Sequence, residues 1–168
     1  MRIFFIVLFL ILLGVGVYLF ISSQNSNNEV WYTGEVEHEG FPLLLRFPEK
    51  PDFDKLQIKY TRLLVVTHTL DKVKSSGLPE DDYNKTLFDL DHDLITEFEK
   101  SSSGKTVLIE TFGGRRTYYI YISINSKVNE VTNSFKKKYP QHKLEWELVD
   151  ANGWKLIRQY SKEYNFYN

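Results

Sequence analysis

The side chains able to do chemistry are scattered along this chain. Its four histidines, His38, His68, His92 and His142, fall in four different segments, and no two share the i, i+4 or HxH spacing that writes a metal site into one element. With no Cys, a zinc–thiolate site and a disulfide framework are both excluded. His68 keeps register with Leu64 and Val66 on an apolar strand, which predicts a buried core histidine; a general base is the alternative. Asp89, Asp91 and Asp93 imitate the start of a calcium loop, but Leu94 stands where Gly is needed and Lys100 where a bidentate Glu should close it. On a helix Asp89 and Asp93 would share a solvent face while Asp91 points elsewhere. The stretch Ser101–Thr106 (SSSGKT) imitates the end of a phosphate loop, yet Glu99 replaces its first glycine, and a helix precedes it instead of following. Ser, His and Asp exist for a triad without the GxSxG elbow. The pattern assigns no catalytic residue, no metal and no cofactor.

The stretch 113–122, GGRRTYYIYI, is the most informative. Arg115 and Arg116 top a hairpin, and Tyr119 and Tyr121 point to the face opposite Ile120 and Ile122. Aromatics beside arginines on an open sheet face are how RNA-recognition domains stack bases. The charge opposes that reading: the chain is at −1, and with Arg2 set aside 20 basic residues face 22 acidic ones. Nucleic acid is therefore not the expected partner. The tyrosines are expected to pack under the N-terminal hairpin, leaving both arginines free for an acidic partner. Lys136-Lys137-Lys138 favours a helix carboxyl end.

These residues must be positioned by alternating strands and helices. Val30–Glu37 and Phe41–Phe47 form a hairpin, whose Pro42 and Pro48 place it at a sheet edge. A loop, PEKPDFDK, follows. The apolar run within Tyr60–Leu70 predicts a central strand buried on both faces. A helix is predicted over Glu80–Lys100, with Tyr83, Leu87, Leu90, Leu94 and Phe98 on one face. Strands Thr106–Phe112 and Thr117–Ile124 are joined by Gly113-Gly114-Arg115-Arg116, since both glycines tolerate positive φ. A helix over Ser126–Tyr139 stops at Pro140, and Lys143–Val149 alternates Leu144, Trp146 and Leu148 with Glu145 and Glu147. The tail Trp154–Tyr164 reads as a last helix or strand. The order predicts an α+β fold: a ferredoxin-like βαββαβ sandwich with both helices on one face, preceded by a β-hairpin. Right-handed crossovers would set the Tyr60 strand between the Thr117 and Lys143 strands.

Before all this comes Ile3–Ile21, 19 residues without a charge. As a helix it measures about 28 Å, enough for a bilayer core. Arg2 is the only charged side chain before it, and acidic Glu29, Glu35, Glu37 and Glu39 come after, which places the amino terminus in the cytoplasm and the domain outside. Residues 1–22 thus read as a transmembrane signal anchor, 23–29 as a polar linker and 30–168 as the α+β domain. The alternative is secretion after signal-peptide cleavage, though the run is long and the exit Ile21-Ser22-Ser23 lacks a small-x-small site.

A series of residues across about 30–165 resembles a bacterial family of uncharacterised proteins, domain of unknown function 695: Trp31-Tyr32, Gly77-Leu78-Pro79, Gly114-Arg115-Arg116 with Tyr119 and Tyr121, Tyr139-Pro140, Asp150 with Trp154, and Tyr160. The chain departs from the family pattern at Thr117-Tyr118, where an acidic residue and Phe are usual. It departs again in the three residues between Asp150 and Trp154, where the family has two. The resemblance implies an α+β fold and brings no activity, cofactor or catalytic residue.

These readings favour a non-catalytic protein-interaction or regulatory module on the outer side of the inner membrane. Its binding surface would combine Arg115, Arg116, Tyr119 and Tyr121 with Asp150 and Trp154, because Arg and Trp dominate interface hot spots. The expected partners are the membrane, through the N-terminal helix, and a protein. One alternative is a hydrolase with His68, Asp150 and the arginines around one cleft. Another is a glycan-binding module, which would need a solvent-facing row of Trp and Tyr.

Overall fold

Strand alternation decides this architecture. In the segment 118–122 the odd and even positions are all buried, so a strand there needs cover on both faces. The computed structural model provides it. The model describes residues 18–20, 30–49, 52–100, 103–149 and 153–167, with only the backbone of 18–20 and of Gly153.

The elements are β1 (Tyr18–Phe20), β2 (Trp31–His38), β3 (Phe41–Pro48), α1 (Phe53–Lys59), β4 (Arg62–Thr69), α2 (Asp81–Thr86), α3 (Phe88–Lys100), β5 (Gly104–Phe112), β6 (Arg115–Ile122), α4 (Val128–Lys138), β7 (Lys143–Val149) and α5 (Gly153–Glu163). All strands join one antiparallel sheet in the order β1-β2-β3-β5-β6-β4-β7. β4 lies between β6 and β7, the placement expected of the Tyr60 strand, and the N-terminal hairpin extends the sheet beyond β5.

One face carries Leu64 and Val66 of β4 and Tyr118, Ile120 and Ile122 of β6. They pack against Leu90, Leu94 and Phe98 of α3 and Phe135 of α4. The other face carries Leu63, Tyr119 and Tyr121, packed with the hairpin residues Val36, Leu43, Leu45 and Phe47 and covered by Trp154 and Ile157 of α5. Burying each large apolar side chain contributes about 1.5–3 kcal/mol. A bulge between Thr106 and Leu108 lets Val107 and Leu108 both join this second cluster.

Several expectations are corrected. Helices cover both faces, because α1 and α5 form a layer the sequence reading did not supply. The PEKPDFDK stretch is not all loop: Asp52 accepts from the Lys55 amide at 3.1 Å and caps α1. The helix expected over 80–100 breaks at Leu87, where Leu87 N bonds Asn84 O at 3.2 Å and Thr86 Oγ1 bonds Tyr83 O at 2.7 Å. These local bonds tighten the turn and let Leu87 bury fully. Arg115 and Arg116 open β6 and do not belong to the turn. Most of the run 3–21 lies outside the described residues; its Tyr18–Phe20 are a strand paired with β2, where a helix was expected. Among the described residues no helix is long and apolar enough to cross a membrane.

Candidate functional site

At the end of the sheet nearest the Gly113–Gly114 turn, charged groups collect beneath the break between α2 and α3. Period-two alternation puts Arg116 in phase with Tyr118, Ile120 and Ile122, so its side chain enters the protein and is 5% exposed. There it meets Asp91 of α3. Arg116 Nη1 donates to Asp91 Oδ2 at 2.6 Å, Nη2 to Asn84 Oδ1 at 2.5 Å, and Nε to Thr111 Oγ1 at 3.2 Å. Arg46 Nη1 donates to the same Asp91 oxygen at 3.2 Å, and the Tyr118 hydroxyl donates to the other. Asp91 therefore accepts from two guanidinium groups and a phenol inside a buried pocket, the arrangement that compensates a desolvated carboxylate.

Beside this cluster, His68 faces Arg116 across the β4–β6 pairing. It is fully buried, with Nε2 3.1 Å from His142 Nδ1 and Nδ1 without a hydrogen-bond partner among the described residues. Burial first, then the neighbouring His142 and Arg116, pushes its pKa down to about 4. Burial lowers His142 as well. Tyr118 moves the other way, well above the usual phenol range, because burial and then Asp91 disfavour the phenolate. Arg116 is held charged: burial opposes the charge, but the Asp91 carboxylate outweighs it. At neutral pH the cluster is thus a fixed arginine–carboxylate pair with a neutral imidazole pair and a neutral phenol. It can hold charge in place; a general base needs access, and His68 has none.

The hydrolase reading needs His68 beside Asp150. Asp150 lies outside the described residues, and His68 is sealed in the core without the access a general base needs.

The expected binding surface also separates. Arg115 is exposed at the turn, whereas Arg116 is buried, correcting the reading of two free arginines. Tyr121 is fully buried and stacks on Trp154 with ring centroids 3.8 Å apart, while Trp154 Nε1 donates to Tyr60 O at 2.6 Å. Tyr119 is buried and shares the Glu110 carboxylate with Tyr160, at 3.3 and 2.9 Å; burial and then Glu110 push the Tyr160 phenol up to about 12. Trp154 therefore sits some six residues, about 20 Å, along β6 from Arg115. These aromatics make no solvent-facing row, which removes the surface that glycan binding required of them. They are not packed under the hairpin alone, since Trp154 and Tyr160 of α5 also lie against them.

Asp91, Tyr118, Arg46 and His142 were missed as partners. Asp91 lies four residues after Leu87 and three before Leu94, so the helical period alone carried the signal that it faces inward. Asp93 is also engaged, accepting from Lys138 and from the Tyr139 hydroxyl. The glycine of SSSGKT is architectural: a Cβ on Gly104 would lie 2.8 Å from Phe98 Cβ and 2.9 Å from Ile122 Cγ2. No group of three or more metal-ligating side chains forms among the described residues.

An open groove of about 650 Å³ runs between α4 and the β4–β7 side of the sheet. Leu64, Leu144, Trp146 and Leu148 give it apolar lining, and Arg62, Lys127, Glu130 and Lys136 give it charge. Trp146 Nε1 is buried there without a hydrogen-bond partner among the described residues. One family model, described as Family of unknown function (DUF695), matches residues 31–160. No curated protein matches the chain, and no solved structure does.

Proposed function

This chain belongs to the DUF695 family, and from that premise we propose that it works as a non-catalytic protein-interaction module. One observation carries the reading. Arg116, Asp91 and Tyr118 hold one another beneath the surface with His68 sealed beside them, while a strand edge unpaired among the described residues and its groove lie open. We read the strand order β5-β6-β4-β7 as a ferredoxin-like core, extended by the hairpin and faced by α5. The uncharged run 3–21 supports an anchor in the bacterial inner membrane with the domain outside. Of the side chains first expected to bind, Arg115 stays available at the surface, whereas Arg116, Tyr119, Tyr121 and Trp154 support the fold that presents it.

The test is in-cell proximity labelling from the full chain, paired with protease treatment of spheroplasts. Retention in carbonate-washed membranes, digestion of the domain by added protease, and enrichment of a partner over an anchor-only control are the expected results. A domain protected from external protease overturns the location. No partner enriched over the control overturns the module.

A further inference from the structure

The two edges of the sheet are treated differently. At one edge the chain's own Tyr18–Phe20 pair with Thr33–Glu35 of β2. At the other, β7 pairs with β4 alone among the described residues, so alternate N–H and C=O groups of Lys143–Val149 face outward. Along β7 the pleat sends Leu144, Trp146 and Leu148 toward the groove and leaves Glu145 and Glu147 exposed on the opposite face.

We propose that β7 accepts an extended segment of a partner protein as an added strand. The segment carries Lys or Arg at alternate positions, and apolar or acidic side chains between them. This rests on the interaction-module reading and names its docking element and the chemistry of its partner. A strand laid beside β7 sets its side chains directly opposite those of β7. Basic residues then meet Glu145 and Glu147, the favourable cross-strand pairing. The intervening residues fall over the groove, where Leu144, Trp146 and Leu148 offer apolar contact and Arg62 and Lys136 offer positive charge. Strand addition draws affinity from main-chain hydrogen bonds and specificity from alternate side chains. A second copy fits poorly: antiparallel pairing about Trp146 sets Glu145 against Glu147 twice, like charges directly opposite.

The probes are two fluorescein-labelled ten-residue peptides, one alternating Lys with Leu and one alternating Glu with Leu, titrated by anisotropy into the full chain in detergent micelles. The unmodified chain should bind the lysine peptide at least about tenfold more tightly. The double variant Glu145→Lys, Glu147→Lys should reverse that preference, and hydrogen exchange should slow at residues 143–149 on binding. Both positions are exposed on an edge strand, where Lys is well tolerated. Equal affinity for the two peptides, a preference the double variant does not reverse, or protection confined to another element each overturns the inference. So does a dimer of the unmodified chain that the variant dissolves, since it gives the edge to a second copy. If proximity labelling still enriches a partner in those cases, the module survives and only the β7 assignment falls. If neither peptide binds and no partner is enriched, both fall.

Discussion

Arg115 and Arg116 are neighbours of the same type, one exposed and one held by Asp91, and a single-residue change separates them. Arg116→Ala removes the closer of the two guanidinium partners of Asp91, leaving Arg46 and the Tyr118 hydroxyl, and should cost about 3 kcal/mol in urea unfolding, while Arg115→Ala should stay within about 0.5 kcal/mol. Equal effects would mean that the buried pair is not formed. His68 makes a second prediction. Its native pKa is about 4, below the ordinary 6.5, so between those values the unfolded chain takes up a proton that the folded chain refuses. Stability is full above about pH 6.5 and falls as the pH drops toward 4, by roughly 2 kcal/mol between pH 7.5 and pH 5. Replacing His68 by Gln should flatten that slope; an unchanged slope would assign the pH dependence to other groups. His68 as a core residue was legible from its register with Leu64 and Val66. Its partner His142 was not, because nothing in local spacing announces a contact 74 positions away.

At the scale of elements, the motif residues behind the family resemblance find one another. Gly77 N–H and C=O are both used: Gly77 N bonds Lys74 O at 2.9 Å, and Gly114 N bonds Gly77 O at 2.8 Å. The loop before α2 is thereby clasped to the β5–β6 turn, and Leu70 N closes the other side on Gly114 O at 2.9 Å. Gly77 sits at φ +81°, and a Cβ there would meet Gly113 Cα at 3.0 Å. Gly77→Ala should lower stability by roughly 2 kcal/mol, through both strain and the clash. Gly114→Asn, at φ +79° with its nearest neighbour 3.9 Å away, should cost clearly less. Denaturation midpoints decide it, and equal losses would deny the clasp. Strands and most helices were readable from period and turn residues, since those signals are local. The α2–α3 break was not, because the same apolar face continues through Leu87 and only side-chain-to-backbone bonds interrupt it. Nor was α1, whose seven residues bury no side chain fully.

At the scale of the molecule, the strand order of the central four followed from connection rules. The second helical layer did not, because a tail of eleven residues can serve as strand or helix until a face needs covering. Tyr119, Tyr121 and the hairpin created that need, and Trp154 answers it. The sheet's first edge carries one more consequence. Tyr18–Phe20 belong both to the uncharged run 3–21 and to the strand beside β2. With those three in the sheet, the run left over is at most Ile3–Val17, about 22 Å as a helix, short of a ~30 Å hydrocarbon core. Insertion and docking therefore compete for the same residues, and a chain cannot satisfy both. Leu19 stands opposite Gly34 and the chain has no native Cys, so Leu19→Cys with Gly34→Cys should oxidise to a disulfide in docked chains. Membrane-inserted chains should yield none, and a disulfide formed equally in carbonate-washed membranes would refute the competition. A chain with Tyr18–Phe20 in the bilayer would then end its sheet at β2, exposing the Thr33–Glu35 backbone that a docked chain pairs.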